Sequence, residues 1–339
     1  MSPMKSKKCP YFAPKSAIIA FKQVQRVLVA MGGLVFCFVS LSCLPQQRDK
    51  FSSQLSELDQ GGGAQPWLDL RRQLLERRGR IQQWVERCEG SVSKEGCSIG
   101  DATLFNGLLC LSGDPESCDA VRSAQGADGR LWRHRQRVNA DAMDSFSRDM
   151  AVGVLAYLVA TRDKKLAIDW MNWLERNDFK MCSPSSDNRC NFTPGFWMLF
   201  RDVWAYLELP LNDNMNSAVV DDSVMALLQA QWSPSGYQLH LAAVNALIRK
   251  KIGQQTQAIH SLTTTLSLRQ PENPFFAYLS IGAKESVLKK TLSWCPAERP
   301  SQRAEWSFER EQNHRPWLKS MGWECLMLIN FLIQDLPEY

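Results

Sequence analysis

Four arginines, Arg130, Arg133, Arg135 and Arg137, fall within eight positions and are interleaved with Trp132 and His134 in the run GRLWRHRQR (129–137). A guanidinium offers a planar fork of N–H donors that engages a carboxylate or sulfate through two bonds at once. An indole offers a broad apolar face on which a sugar ring packs. The combination suits an acidic glycan. The competing reading is a solvated loop with Trp132 anchored in a core.

A second chemical pattern lies in the cysteines. Setting aside Cys9, Cys37 and Cys43 leaves Cys88, Cys97, Cys110, Cys118, Cys182, Cys190, Cys295 and Cys325, an even set in which three neighbouring pairs are eight or nine positions apart. Short spacings close small loops, as disulfides do in an oxidising compartment. Of the roughly 105 connectivities open to eight cysteines, the preferred pairing is 88–97, 110–118, 182–190 and 295–325, with buried free thiols as the alternative. No CxxC occurs and the four histidines, His134, His240, His260 and His314, are scattered, so no metal or other cofactor is expected.

Charge agrees with export. The formal net charge is +5, from 40 basic and 35 acidic residues. Six of the basic residues, Lys5, Lys7, Lys8, Lys15, Lys22 and Arg26, precede position 44, where no acid occurs, so the remainder is close to neutral. That removes the general argument for nucleic acid as a partner. Directly after Arg26 come eighteen uncharged residues, 27–44, the outline of an export signal and just long enough for a membrane span. The sequence Ser40-Leu41-Ser42-Cys43 resembles a bacterial lipobox, which implies lipidation of Cys43, although Ser40 stands where that motif has leucine. An uncleaved signal anchor is the alternative. Either way the main portion is expected in the cell envelope, tethered to the membrane and lying in the periplasm or outside. Residues 1–44 read as leader, 45–65 as a polar tether and 66–339 as the folded domain.

The elements that must position these groups are helices, since sustained period-2 alternation is absent after Pro66. Two kinds alternate. Segments 102–111, 150–160, 196–207, 239–248, 275–283 and 321–333 are apolar nearly all round, whereas 67–88, 164–177, 221–232, 255–268 and 285–294 are amphipathic. A helix apolar all round is buried and an amphipathic one covers a surface. Six inner helices, each shielded by an outer one, suit an all-α (α/α)6 toroid of helical hairpins, with an open α-solenoid as the alternative.

With that alternation and the segments GDATLFNGLLCLSG (100–113) and SFSRDMAVGVLAYL (145–158), the chain resembles the six-hairpin carbohydrate-active enzymes, a set of glycoside hydrolase and polysaccharide lyase families. The resemblance implies a site where inner helices begin, at Asp101, Arg148, Asp149, Tyr237, His240, Asn273, Trp317 and Trp323. Hydrolysis needs two carboxylates, one acting as acid and the other as base or nucleophile, and Asp101 with Asp149 is the implied pair. Both are equally at home as helix-start stabilisers. Substrate binding falls to Arg148, Trp132, Arg130, Arg133, Tyr237, His240 and Trp317. A lyase would instead use His240 or Tyr237 as base with Arg148 neutralising a uronate. A non-catalytic envelope protein that binds a glycan or protein partner is the rival from another class. The polar stretch 296–316, with Glu305, Trp306, Glu309, Glu311 and His314, reads as a lid or as a disordered insertion.

Overall fold

Asp and Thr followed by proline open several helices, because the side chain accepts an orphan N–H while the proline ring needs none. Asp114-Pro115 and Thr193-Pro194 do so here, and Asn273-Pro274 does the same with its amide oxygen. The computed structural model describes residues 64–85, 87–88, 91–92, 102–139, 146–182, 190–211, 227, 230–233, 235–299 and 322–336. The expected leader, Cys43, Asp101, the 300–316 part of the lid and Trp317 lie outside the described residues.

The chain is all-α. Among the described residues the helices are α1 (Ala64–Trp84), α2 (Ala102–Leu111), α3 (Pro115–Arg122), α4 (Arg148–Thr161), α5 (Lys164–Arg176), α6 (Pro194–Tyr206), α7 (Tyr237–Lys251), α8 (Gln257–Arg269), α9 (Pro274–Ile281), α10 (Glu285–Trp294) and α11 (Trp323–Asp335). A two-residue antiparallel pair, β1 (Arg87–Cys88) with β2 (Ser91–Val92), and a 3-10 turn at Arg135–Arg137 complete them. No helix among the described residues is long and apolar enough to cross a membrane.

The two kinds of helix differ in burial. Every residue from Met150 to Val159 in α4 and from Trp323 to Leu332 in α11 is buried. In α5, by contrast, Leu166, Ala167, Trp170, Met171, Trp173 and Leu174 form one buried stripe. Short turns join the two kinds. Arg162, left-handed at φ 53°, ends α4, and Asp163 caps α5 immediately after it. Gly282, at φ 75°, does the same between α9 and α10. Segment 196–207 departs from its expected all-round burial. Phe196, Leu199, Phe200, Val203 and Trp204 are buried at i, i+3, i+4, i+7 and i+8, while Arg201 and Asp202 turn to another face. There Asp202 pairs with Arg249 of α7 at 3.1 Å.

Helix α2 packs on α4, α4 on α6 and α7, α7 on α9, and α11 on both α1 and α2. The α9–α11 contact is a stack of Tyr278 on Phe331, whose centroids are 5.9 Å apart, and Tyr278 also donates to Asp335 at 2.8 Å. The α2–α4 crossing is tight: Gly107 and Gly153 face one another with no room for a Cβ on either. Hairpin α4–α5 is tied to α3 by polar groups. Tyr157 donates to Asp163 at 2.7 Å, and Arg122 donates to Tyr157 at 3.2 Å. Burial opposes the Asp163 charge. Its bonds from the Leu166 N–H and Tyr157, with Arg122 nearby, outweigh that and hold the carboxyl below the usual range.

Three of the expected disulfides are present: Cys110–Cys118, Cys182–Cys190 and Cys295–Cys325. They join α2 to α3, brace the loop entering α6, and tie the end of α10 to α11. The side chains of the fourth expected pair, Cys88 and Cys97, lie outside the described residues.

Candidate functional site

Three helices begin at one place. The first turns of α4, α6 and α7 border a half-open cleft of about 650 Å³, within the size range of small-molecule sites. Helical spacing determines which residues reach it. From α7 come Gln238, Leu241, Ala242 and Asn245, at i, i+3, i+4 and i+7, together with Tyr237. From α4 come Arg148, Asp149 and Val152, and from the start of α6 come Thr193, Gly195, Phe196 and Leu199. Leu262 of α8 closes one side.

The electrostatics of the cleft follow from the helix ends. Each N-terminus carries about half a positive charge and exposes unpaired N–H groups. Thr193 caps α6 by accepting from the Phe196 N–H, but neither Ser147 before α4 nor Gly236 before α7 supplies a side-chain cap. Arg148 is held in place by donating to the Asn191 carbonyl at 2.9 Å. Asp149 is half-buried and, among the described residues, its carboxylate makes neither an ion pair nor a side-chain hydrogen bond. A carboxylate beside amide, phenol and guanidinium donors, with Val152, Phe196, Leu199 and Leu241 as apolar floor, can bind a polyol.

The structure thus brings together Arg148, Asp149 and Tyr237 of the expected site. It places Arg130, Trp132, Arg133 and His240 outside the cleft's described lining. Arg130 and Trp132 are buried, the guanidinium stacking 3.9 Å from the indole centroid and 5.8 Å from that of Trp173. Their loop serves the start of α2: Thr103 donates through Oγ1 to the Trp132 and Arg133 carbonyls, at 2.8 and 2.7 Å. His134 turns its Nδ1 to the Gln136 N–H and so caps the 3-10 turn. Of the run, Arg137 alone among the arginines is exposed. Sequence reading missed Gln238, Asn245 and Thr193. Asn245 was detectable, as a polar residue inside an otherwise buried apolar helix. Among the described residues no three His, Cys, Asp or Glu side chains cluster so as to hold a metal ion.

His240 is fully buried against Phe275, with ring centroids 5.8 Å apart. Burial drives its imidazole down to about 3. The folded protein therefore keeps His240 neutral, while the unfolded chain binds a proton below about pH 6.5. Stability is complete above that pH and declines as pH falls through it, by about 2 kcal/mol at pH 5. Urea midpoints at pH 7 and pH 5 test this. His240→Leu should flatten the difference, and an unchanged pH dependence in the variant would contradict the assignment.

Comparison of this chain with protein-family models, with curated proteins and with solved structures gives no match.

Proposed function

We propose that the chain is an exported, membrane-tethered carbohydrate-active protein of the (α/α)6 toroid type, and that it hydrolyses a glycosidic bond in the cleft between α4, α6 and α7. One observation carries this: the N-terminal turns of three helices converge on an open, polar-lined cavity that includes Asp149. Toroid closure is supported by the succession of helix contacts from α2 through α9 and by the packing of α11 on α1 and α2. The three disulfides support an oxidising compartment.

Asp149 is one of the two carboxylates, and Asp101 is the other. Asp101 directly precedes α2, whose Thr103 carbonyl lies against Gly153, one turn beyond Asp149 on α4. Asp149 serves as general base or nucleophile at the mouth of the cleft, while Arg148, Gln238 and Asn245 orient sugar hydroxyls. A second reading, glycan binding without catalysis, is favoured by the fact that Asp149 is the sole carboxylate among the described lining residues.

Incubating the full chain with neutral and uronate-containing oligosaccharides, and measuring binding by calorimetry alongside product release, separates the two. Hydrolysis predicts new reducing ends that fall at least about a hundredfold in Asp149→Asn and in Asp101→Asn, with binding retained. Binding without cleavage by the wild type selects the second reading. Absence of any saccharide binding removes both.

A further inference from the structure

Trp232 is 80 % exposed, the most exposed large hydrophobic residue among the described ones. An indole left in water forfeits the burial that normally makes tryptophan worth placing in a fold. Five residues on, Tyr237 is 59 % exposed and also borders the cleft. The backbone that presents Trp232 is held in place. Arg269 of α8 donates through Nη1 to the carbonyls of Ala230 and Ser233, at 2.6 and 2.8 Å, on either side of Trp232. The Tyr237 phenol is oriented in turn, since its oxygen accepts from Gln238 Nε2 at 3.2 Å. Five residues span at most about 17 Å of chain, which brings Trp232 within a short run of sugar rings from the cleft mouth.

We propose, resting on the saccharide reading of the cleft, that Tyr237 and Trp232 form an aromatic rim that carries a glycan chain outward, so that the ligand is a segment of a polymer rather than a single sugar. Each ring presents a flat apolar face to the C–H face of a sugar, and its polar edge stays in water. The cleft supplies the complementary half, since Arg148, Gln238 and Asn245 meet the hydroxyls of the innermost ring. A glycan running from one to the other covers both aromatic faces without requiring the apolar surface to be dry all round. Tyr237 therefore belongs to both the inner site and the rim, whereas Trp232 acts on outer units alone.

Calorimetric titration of the full chain with cello-, chito- and galacturonate-oligosaccharide ladders tests this. The wild type should bind longer members of at least one ladder more tightly than short ones. Trp232→Ala should weaken the long members by up to about tenfold and leave the shortest unchanged. Trp232→Phe should retain most of the gain, and Tyr237→Ala should weaken every length. Melting curves on the same samples should coincide, because Trp232 contributes little to the core. Length-independent binding by the wild type, or an unaltered length dependence in Trp232→Ala, overturns the rim and leaves the saccharide reading standing. A Trp232→Ala change in sedimentation, with saccharide affinities untouched, would instead assign the patch to a second copy of the chain. Failure of the wild type to bind any ladder removes the saccharide reading and the rim together.

Discussion

Gly153→Ala is expected to destabilise the protein by about 3–5 kcal/mol, enough to deplete the folded state at physiological temperature. A Cβ at this position would fall 2.5 Å from the Thr103 carbonyl oxygen, and one at Gly107 would fall 2.7 Å from Gly153 Cα. Both obstacles are backbone, so no rotamer change relieves them. Helices α2 and α4 would have to separate at their crossing. Separation would loosen Leu104, Phe105, Leu108, Met150 and Val154, all of which are fully buried. Ordinary overpacking costs about 1–3 kcal/mol because side chains can yield, and here they cannot. Gly107→Ala should cost a similar amount. The double variant should cost less than the sum, since both substitutions break one crossing. Gly79→Ala on α1, where a Cβ meets nothing within 4 Å, should stabilise slightly instead. Urea midpoints with an unchanged slope measure all four. A Gly153→Ala midpoint equal to the wild type would refute the backbone contact.

Reduction is expected to have the second large effect. Disulfides Cys110–Cys118 and Cys182–Cys190 each close eight residues, and Cys295–Cys325 closes thirty. Loop-closure entropy assigns about 2.5 kcal/mol to each short loop and about 3.6 kcal/mol to the long one. Their combined loss rivals the whole stability of a typical domain. Full reduction should therefore lower the melting midpoint by roughly 15 °C or more. Among removals of one disulfide, Cys295→Ser with Cys325→Ser should cost most, because it frees the end of α10 from α11 as well as opening the longest loop. Arg77 of α1 would still hold the end of α10, to α1 rather than α11, by donating to the Leu292 carbonyl at 2.7 Å and to the Cys295 carbonyl. Coincident melting curves before and after reduction, with free thiols verified by titration, would contradict this contribution.

Much of the fold was legible because its signals are local. An apolar run such as 102–111 has few alternatives to burial, and α2 occupies it with nine of its ten residues buried. Helix α3 was missed although Asp114-Pro115-Glu116 is a strong start signal. Its buried side chains are Ser117, Ala120 and Val121, too small and too few to register as periodicity. Segment 196–207 was read as apolar all round because its composition hides the directions of Arg201 and Asp202. The partner of Asp202, Arg249, lies nearly fifty residues away in the chain.

The sequence by itself determined the helical class, the alternation of buried and surface helices, and the pairs Cys110–Cys118 and Cys182–Cys190, since hydrophobic periodicity, capping residues and short cysteine spacings act within a few residues of chain. It also singled out Arg148, Asp149 and Tyr237, because each opens a helix whose start could be read from the chain itself. Tertiary structure decided which polar groups share a cavity. Helix α7 shows why: Gln238 and Asn245 face the cleft while His240, two positions from Gln238, is sealed in the core. One helical period generates both faces, and only packing against α4, α6 and α9 distinguishes them. The arginine-rich loop shows the same limit, because Arg130 stacks on Trp132 inside the fold, and composition cannot tell a pair stacked in a core from one offered to a ligand.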